Sequence, residues 1–169
     1  MNLDDIPVGS LCVVDTNVLL YAEQGVSSLA QRLIRRCASG ELKGVLPQTV
    51  WQELTHKLML AEAMMRGLTS GGNPAAKLAA KPDAIRGLTL YRAKVQSLLE
   101  LGLGFEPCQL GDLTDRVFSL QQQYGLLTND AMILAVAIRL KANALVSGDK
   151  AFRDVKEPDV YAPSDLRLE

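Results

Sequence analysis

The scarcest chemically useful residue in the chain is histidine. There is one, His56, which excludes most zinc sites and most schemes built on an imidazole base. Cysteine is nearly as scarce. Cys12, Cys37 and Cys108 are odd in number and widely spaced, a pattern of reduced thiols in a cytoplasmic protein rather than a disulfide framework. No apolar run approaches the length of a membrane span. The opening "MNLDDIPVGS" carries two acids and no basic stretch, so it does not read as a signal peptide. Net charge is close to absent too, at −1 over 169 residues, and the chain as a whole is no general polyanion binder.

Within those limits the composition is that of a globular protein, 48% hydrophobic and 22% charged, long enough for one domain with a continuous core. The near-zero net charge hides an uneven distribution. From Lys57 to Lys94 seven basic residues face only Glu62 and Asp83, so this segment carries +5 and the remainder −6. Its part from about residue 66 to 88 is rich in Gly, Pro, Ser and Ala. It reads as a mobile connection with one short helical piece, a helical-arm insertion in a single domain spanning 1–169.

Elsewhere short apolar runs alternate with helical periodicity. Leu11–Val14 is four apolar residues, two of them β-branched, and reads as a buried strand. "GVLP" at 44–47, "GFEPCQL" at 104–110, "ALVSGD" at 144–149 and "DVYAP" at 159–163 supply four more. Between them, Val18–Ala22, Leu29–Ala38, a helix with the stripe Val50, Leu54, Leu58, Ala61 and Met65, then Leu88–Leu101, Leu113–Tyr124 and Thr128–Leu140 read as helices. Thr49 with Gln52 fits a capping box. Cys12 and Cys108 fit strand interiors and Trp51 a core position on its helix, while His56 faces solvent. Alternation of this kind predicts α/β architecture: about five short, mainly parallel strands between helical layers.

In parallel α/β sheets, sites lie beyond the carboxyl ends of the strands. "LCVVD" ends in Asp15 and "ALVSGD" in Asp149. Glu53 and Asp130 sit in the first turns of helices that begin at the same edge. Each has an ordinary explanation: a helix cap for Asp15, an i,i+4 pair with Lys57 for Glu53, a helix dipole for Asp130, a turn for Asp149. The shared edge is what these leave unexplained. Converging carboxylates raise one another's pKa unless a cation intervenes. With oxygen donors and neither His nor Cys beside them, Mg²⁺ or Mn²⁺ is the fitting counter-ion.

The ordered set resembles the PIN-domain family from Leu11 to about Leu166. "VVDTNVLLYA" is similar to its opening motif, "VWQEL" to the helix that supplies a Glu, and "LLTNDAMILAVAIRLKANALVSGDKAF" to its helix Asp, small-apolar helix and Ser/Thr-x-Asp strand end. The resemblance implies a three-layer α/β/α sandwich and a metal-dependent endoribonuclease acting on single-stranded RNA, with Asp15, Glu53, Asp130 and Asp149 as its acidic site. Asn17 and Ser147 would orient the carboxylates. Many bacterial and archaeal members resemble the VapC-type toxins of toxin–antitoxin pairs. A cognate antitoxin protein and a second copy of the chain are therefore expected partners beside RNA. The basic residues Arg66, Lys77, Lys81, Arg86 and Arg92 are expected to steer RNA towards the acids. Two alternatives stand: a non-catalytic RNA- or protein-binding module of the same fold, and a haloacid-dehalogenase-like phosphatase. The phosphatase chemistry wants an Asp where Asn17 stands.

Overall fold

The computed structural model describes residues 1–166. Five short strands form one sheet: β1 (Leu11–Val14), β2 (Lys43–Pro47), β3 (Gly104–Glu106), β4 (Ala144–Val146) and β5 (Asp159–Tyr161). Their order is β3-β2-β1-β4-β5, and every neighbouring pair is parallel. Parallel neighbours need crossovers, and helices supply them. α1 (Thr16–Glu23) and α2 (Ser28–Ala38) join β1 to β2. α3 (Gln48–Met65), α4 (Pro74–Ala79), α5 (Pro82–Arg86) and α6 (Leu90–Glu100) join β2 to β3. α7 (Val117–Tyr124) and α8 (Thr128–Arg139) join β3 to β4. The chain steps outwards from β1 to β3, then returns to the other side of β1. Right-handed crossovers then set the two groups of helices on opposite faces. The result is the expected three-layer α/β/α sandwich with its parallel sheet of five.

The central strands carry β-branched and small apolar residues because both their faces are covered. Val13 lies opposite Val45 and Leu145, and Cys12, Val13 and Val14 are fully buried. On α2, Leu29, Leu33 and Cys37 face inwards as their four-residue spacing requires. β2 approaches this helix so closely that a Cβ at Gly44 would lie 2.8 Å from Cys37 Sγ and overlap Leu103. Trp51 is half-buried against the core and His56 is exposed. No helix among the described residues is long and apolar enough to cross a membrane.

Several local expectations need correction. The Thr49–Gln52 capping box does not form. β2 runs directly into α3 with extended Pro47 as its cap, and the Thr49 hydroxyl donates instead to Asn129 Oδ1 at 3.3 Å. Ala61 and Met65 are exposed; Glu62 and Ala63 are the buried residues of that turn. Cys108 lies beyond β3 and is only half-buried. The helix expected from Leu113 begins as a π turn, Asp112–Arg116. Buried Asp112 there accepts from Arg116 and Arg139, both at 2.8 Å, and Arg139 reaches on to Glu106 at 2.7 Å. Segment 66–88 holds two short helices rather than one, around its own small core of Ala63, Leu78 and Leu88. Glu62 ties that region to α6. Its carboxylate accepts the backbone N–H groups of Thr89 (3.1 Å) and Tyr91 (2.9 Å) at the helix start and pairs with Arg66. Burial alone would raise the Glu62 pKa, but these donors hold it below the ordinary value.

Candidate active site

The strand order reverses between β1 and β4, so the loops leaving them diverge to opposite faces and open a crevice. Asp15 is the residue immediately after β1. Its N–H still pairs with Val146 of β4 at 2.9 Å, and its side chain caps α1 by accepting from Thr16 N at 2.6 Å. Across the crevice, β4 exits through Ser147, Gly148 and Asp149, and Asp149 caps a single 3₁₀ turn by accepting from Ala151 N at 2.8 Å. Glu53 projects from the second turn of α3 and Asp130 from the first turn of α8. All four acids line one cleft of about 430 Å³, together with Thr16, Asn17, Tyr21 and two lysines, Lys57 and Lys150.

Asn17 and Ser147 both bear on Asp15. Ser147 Oγ donates to Asp15 Oδ2 at 2.6 Å and accepts from Asp149 N at 2.9 Å, so it bridges the two strand ends. Asn17 Nδ2 donates to the same Asp15 oxygen at 2.8 Å, and Asn17 Oδ1 accepts from Gly148 N at 3.0 Å. Gly148 suits that approach: a Cβ there would stand 3.1 Å from the Tyr21 ring, which would have to give by a few tenths of an ångström. Glu53 has both oxygens engaged, one by the Thr16 hydroxyl at 3.0 Å and the other by Lys57 Nζ at 2.6 Å.

Charge in the cleft is incompletely balanced. Asp130 makes no hydrogen bond or ion pair among the described residues. Partial burial, followed by the fields of Asp149, Asp15 and Glu53, pushes its pKa up to about 6. Burial also raises Asp15, with Glu53 and Asp149 adding to the effect and the Ser147 and Thr16 donors opposing it. The donor set is all oxygen, its negative charge is partly uncompensated, and Asp130 is uncommitted. That chemistry fits a hard divalent cation such as Mg²⁺ or Mn²⁺. Among the described residues, however, no three potential ligands stand close enough to hold an ion as they are. The hydrogen bonds to Asp15, Glu53 and Asp149 show how their oxygens are otherwise occupied.

The five arm residues are elsewhere. None lines the cleft. Arg66 bonds Gly87 O, Lys77 Nζ bonds Ser70 O, Lys81 Nζ bonds Leu68 O, Arg86 pairs with Asp83, and Arg92 reaches the Tyr91 hydroxyl. Sequence alone does not mark Thr16, Tyr21, Lys57 and Lys150 as lining the cleft. Tyr21 had a signal, because it stands one helical turn after Asn17 and shares its face. Lys57 had one too, in its spacing from Glu53.

The family model for the PIN domain matches residues 12–158. Among solved structures, the chain is similar to a toxin–antitoxin complex from Klebsiella pneumoniae, with 19% identity and TM-score 0.56 over 90% of this chain and 97% of that one. It is also similar to VapBC2 from Rickettsia felis bound to a DNA fragment from their promoter, with 15% identity and TM-score 0.60 over 90% and 98%. At these identities the likeness shows the fold. No curated protein matches the chain.

Proposed function

The chain belongs to the PIN domain family, and we propose that it is a metal-dependent endoribonuclease that hydrolyses phosphodiester bonds of single-stranded RNA. The observation that carries this reading is the cleft itself: four carboxylates from four separate segments, at the strand reversal, with Asp130 uncommitted and its pKa raised. Asp15, Asp130 and Asp149 would hold Mg²⁺ or Mn²⁺, with Glu53 at the edge. When bound, such an ion supplies Lewis-acid stabilisation of the phosphoryl group and activates water for attack, with no covalent enzyme intermediate. Ser147, Asn17 and the Thr16 N–H fix the orientation of the Asp15 carboxylate. Lys57 and Lys150 put positive charge beside the path of a phosphodiester.

Arg66, Lys77, Lys81, Arg86 and Arg92 steer the RNA from outside the cleft; Lys77, Lys81 and Arg92 bond neutral oxygens and keep their full charge, whereas Arg66 and Arg86 are paired with Glu62 and Asp83. The relatives by fold include toxin–antitoxin complexes. In the same reading this chain is the toxin of such a pair, held by a cognate antitoxin protein and acting as a homodimer in the cytoplasm. A second reading, RNA binding without cleavage, is favoured by the lack of a preformed ligand trio among the described residues.

The two readings separate on metal. The nuclease reading expects millimolar Mn²⁺ to raise the melting temperature, because an ion bound only by the folded chain stabilises it. Asp15→Asn and Asp149→Asn are expected to abolish the rise. No shift in the wild type, together with no metal-dependent activity, would contradict the nuclease reading and leave the binding module.

A further inference from the structure

We infer that Lys57 is the resident counter-ion of Glu53: it competes with the divalent cation for that carboxylate and passes its charge to a substrate phosphate when the carboxylate is taken. The inference rests on the nuclease reading and assigns a positioning residue to it. An i,i+4 Glu–Lys pair is commonplace on a helix surface. This one differs in where it stands and in what holds its acid.

Glu53 is fixed from both sides, by the Thr16 hydroxyl from α1 and by Lys57 from α3. Thr16 adjoins the Asp15 cap, so Glu53 is bound into the same hydrogen-bonded frame as Asp15 and Asp149. Lys57 is the cation within contact distance of a cleft carboxylate; no other ion pair among the described residues involves Asp15, Asp130 or Asp149. The lysine also lines two cavities. One is the acidic cleft. The other, of about 390 Å³, opens between α1, α3 and α6 beside Leu20, Leu58 and Tyr91. Its side chain is 46% exposed. A long, half-exposed ammonium at this seam can exchange partners by rotamer changes alone, with no backbone motion. A lone carboxylate in this cleft would add to the repulsion already raising Asp130. With Lys57 attached, Glu53 is neutralised until a stronger cation arrives.

The test uses the intact chain and Mn²⁺ as probe, with affinity read by calorimetry. Lys57→Met is expected to tighten Mn²⁺ binding about two- to fivefold, the range that loss of a half-exposed pair supports. In Glu53→Gln there is no carboxylate charge to compete for, so adding Lys57→Met is expected to leave the affinity at the Glu53→Gln value. Single-stranded RNA binding in Ca²⁺, with the RNA checked intact afterwards, is expected to weaken about two- to fivefold in Lys57→Met and to be restored by Lys57→Arg. Equal tightening on the Glu53→Gln background would show a general field effect and overturn the pairing. Wild-type affinity in Lys57→Met would overturn it as well, while the nuclease reading stands on the wild type's own metal binding. Absence of Mn²⁺ binding in every form would overturn both.

Discussion

Replacing Asp130 by Asn is expected to stabilise the metal-free protein, and to do so only above a defined pH. In the unfolded chain this carboxyl titrates near its ordinary 3.8; in the folded chain burial and three neighbouring acids push it up to about 6. Between those values the folded state binds more protons than the unfolded one. Stability therefore falls as pH rises through that window and stays lowered above it. A shift of two units corresponds to roughly 3 kcal/mol as an upper bound. Asp130 is only partly buried, at the rim of an open cleft, and solvent screening reduces the effect to about 1 kcal/mol. For a chain of this length that is a melting-temperature difference of about 2–4 °C. Thermal melts of wild type and Asp130→Asn in chelator, from pH 4 to pH 8, are expected to coincide at the acid end and separate above pH 6, with the variant more stable. A variant less stable at pH 8, or a difference independent of pH, would refute the reasoning.

Ser147→Ala removes a buried hydroxyl that donates to Asp15 and accepts from Asp149 N. It is expected to destabilise the protein by about 1–3 kcal/mol in urea unfolding, and a loss near zero would show that water substitutes for the hydroxyl. Changing Lys77, Lys81 and Arg86 together to Ala is expected to flatten the salt dependence of RNA binding by about 2 in log–log slope, if each residue meets one phosphate of a single strand. An unchanged slope would remove the arm from RNA recognition without touching the acidic cleft.

The parts of this structure that sequence reveals are those dictated locally. β1 is legible to the residue, because four apolar positions are closed by a carboxylate that caps the next helix. The meeting of Asp15 and Asp149 follows from topology, since parallel strands place all their carboxyl ends at one edge. What depends on distant partners is hidden. Glu62 reads as a surface charge, yet it is buried because the N–H groups of Thr89 and Tyr91 satisfy it from 27 and 29 residues away. Asp112 is buried for a similar reason, with Arg139 as its distant partner. The capping signal of Thr49 and Gln52 is sound in isolation, but Pro47 carries the strand straight into the helix and moves the cap two residues upstream. Lys57 pairs with Glu53 as its spacing predicts, and only the fold reveals that the pair stands in the cleft.

The central claim is that these acids cleave RNA with a divalent cation, and the most direct measurement is cleavage of a single-stranded RNA by the purified chain. Activity is expected in Mn²⁺ or Mg²⁺, and none in chelator. Asp130→Asn and Asp149→Asn, each verified as folded by circular dichroism, are expected to lose most of it. Full cleavage persisting in either variant, or no cleavage by the wild type with metal present, would contradict the account.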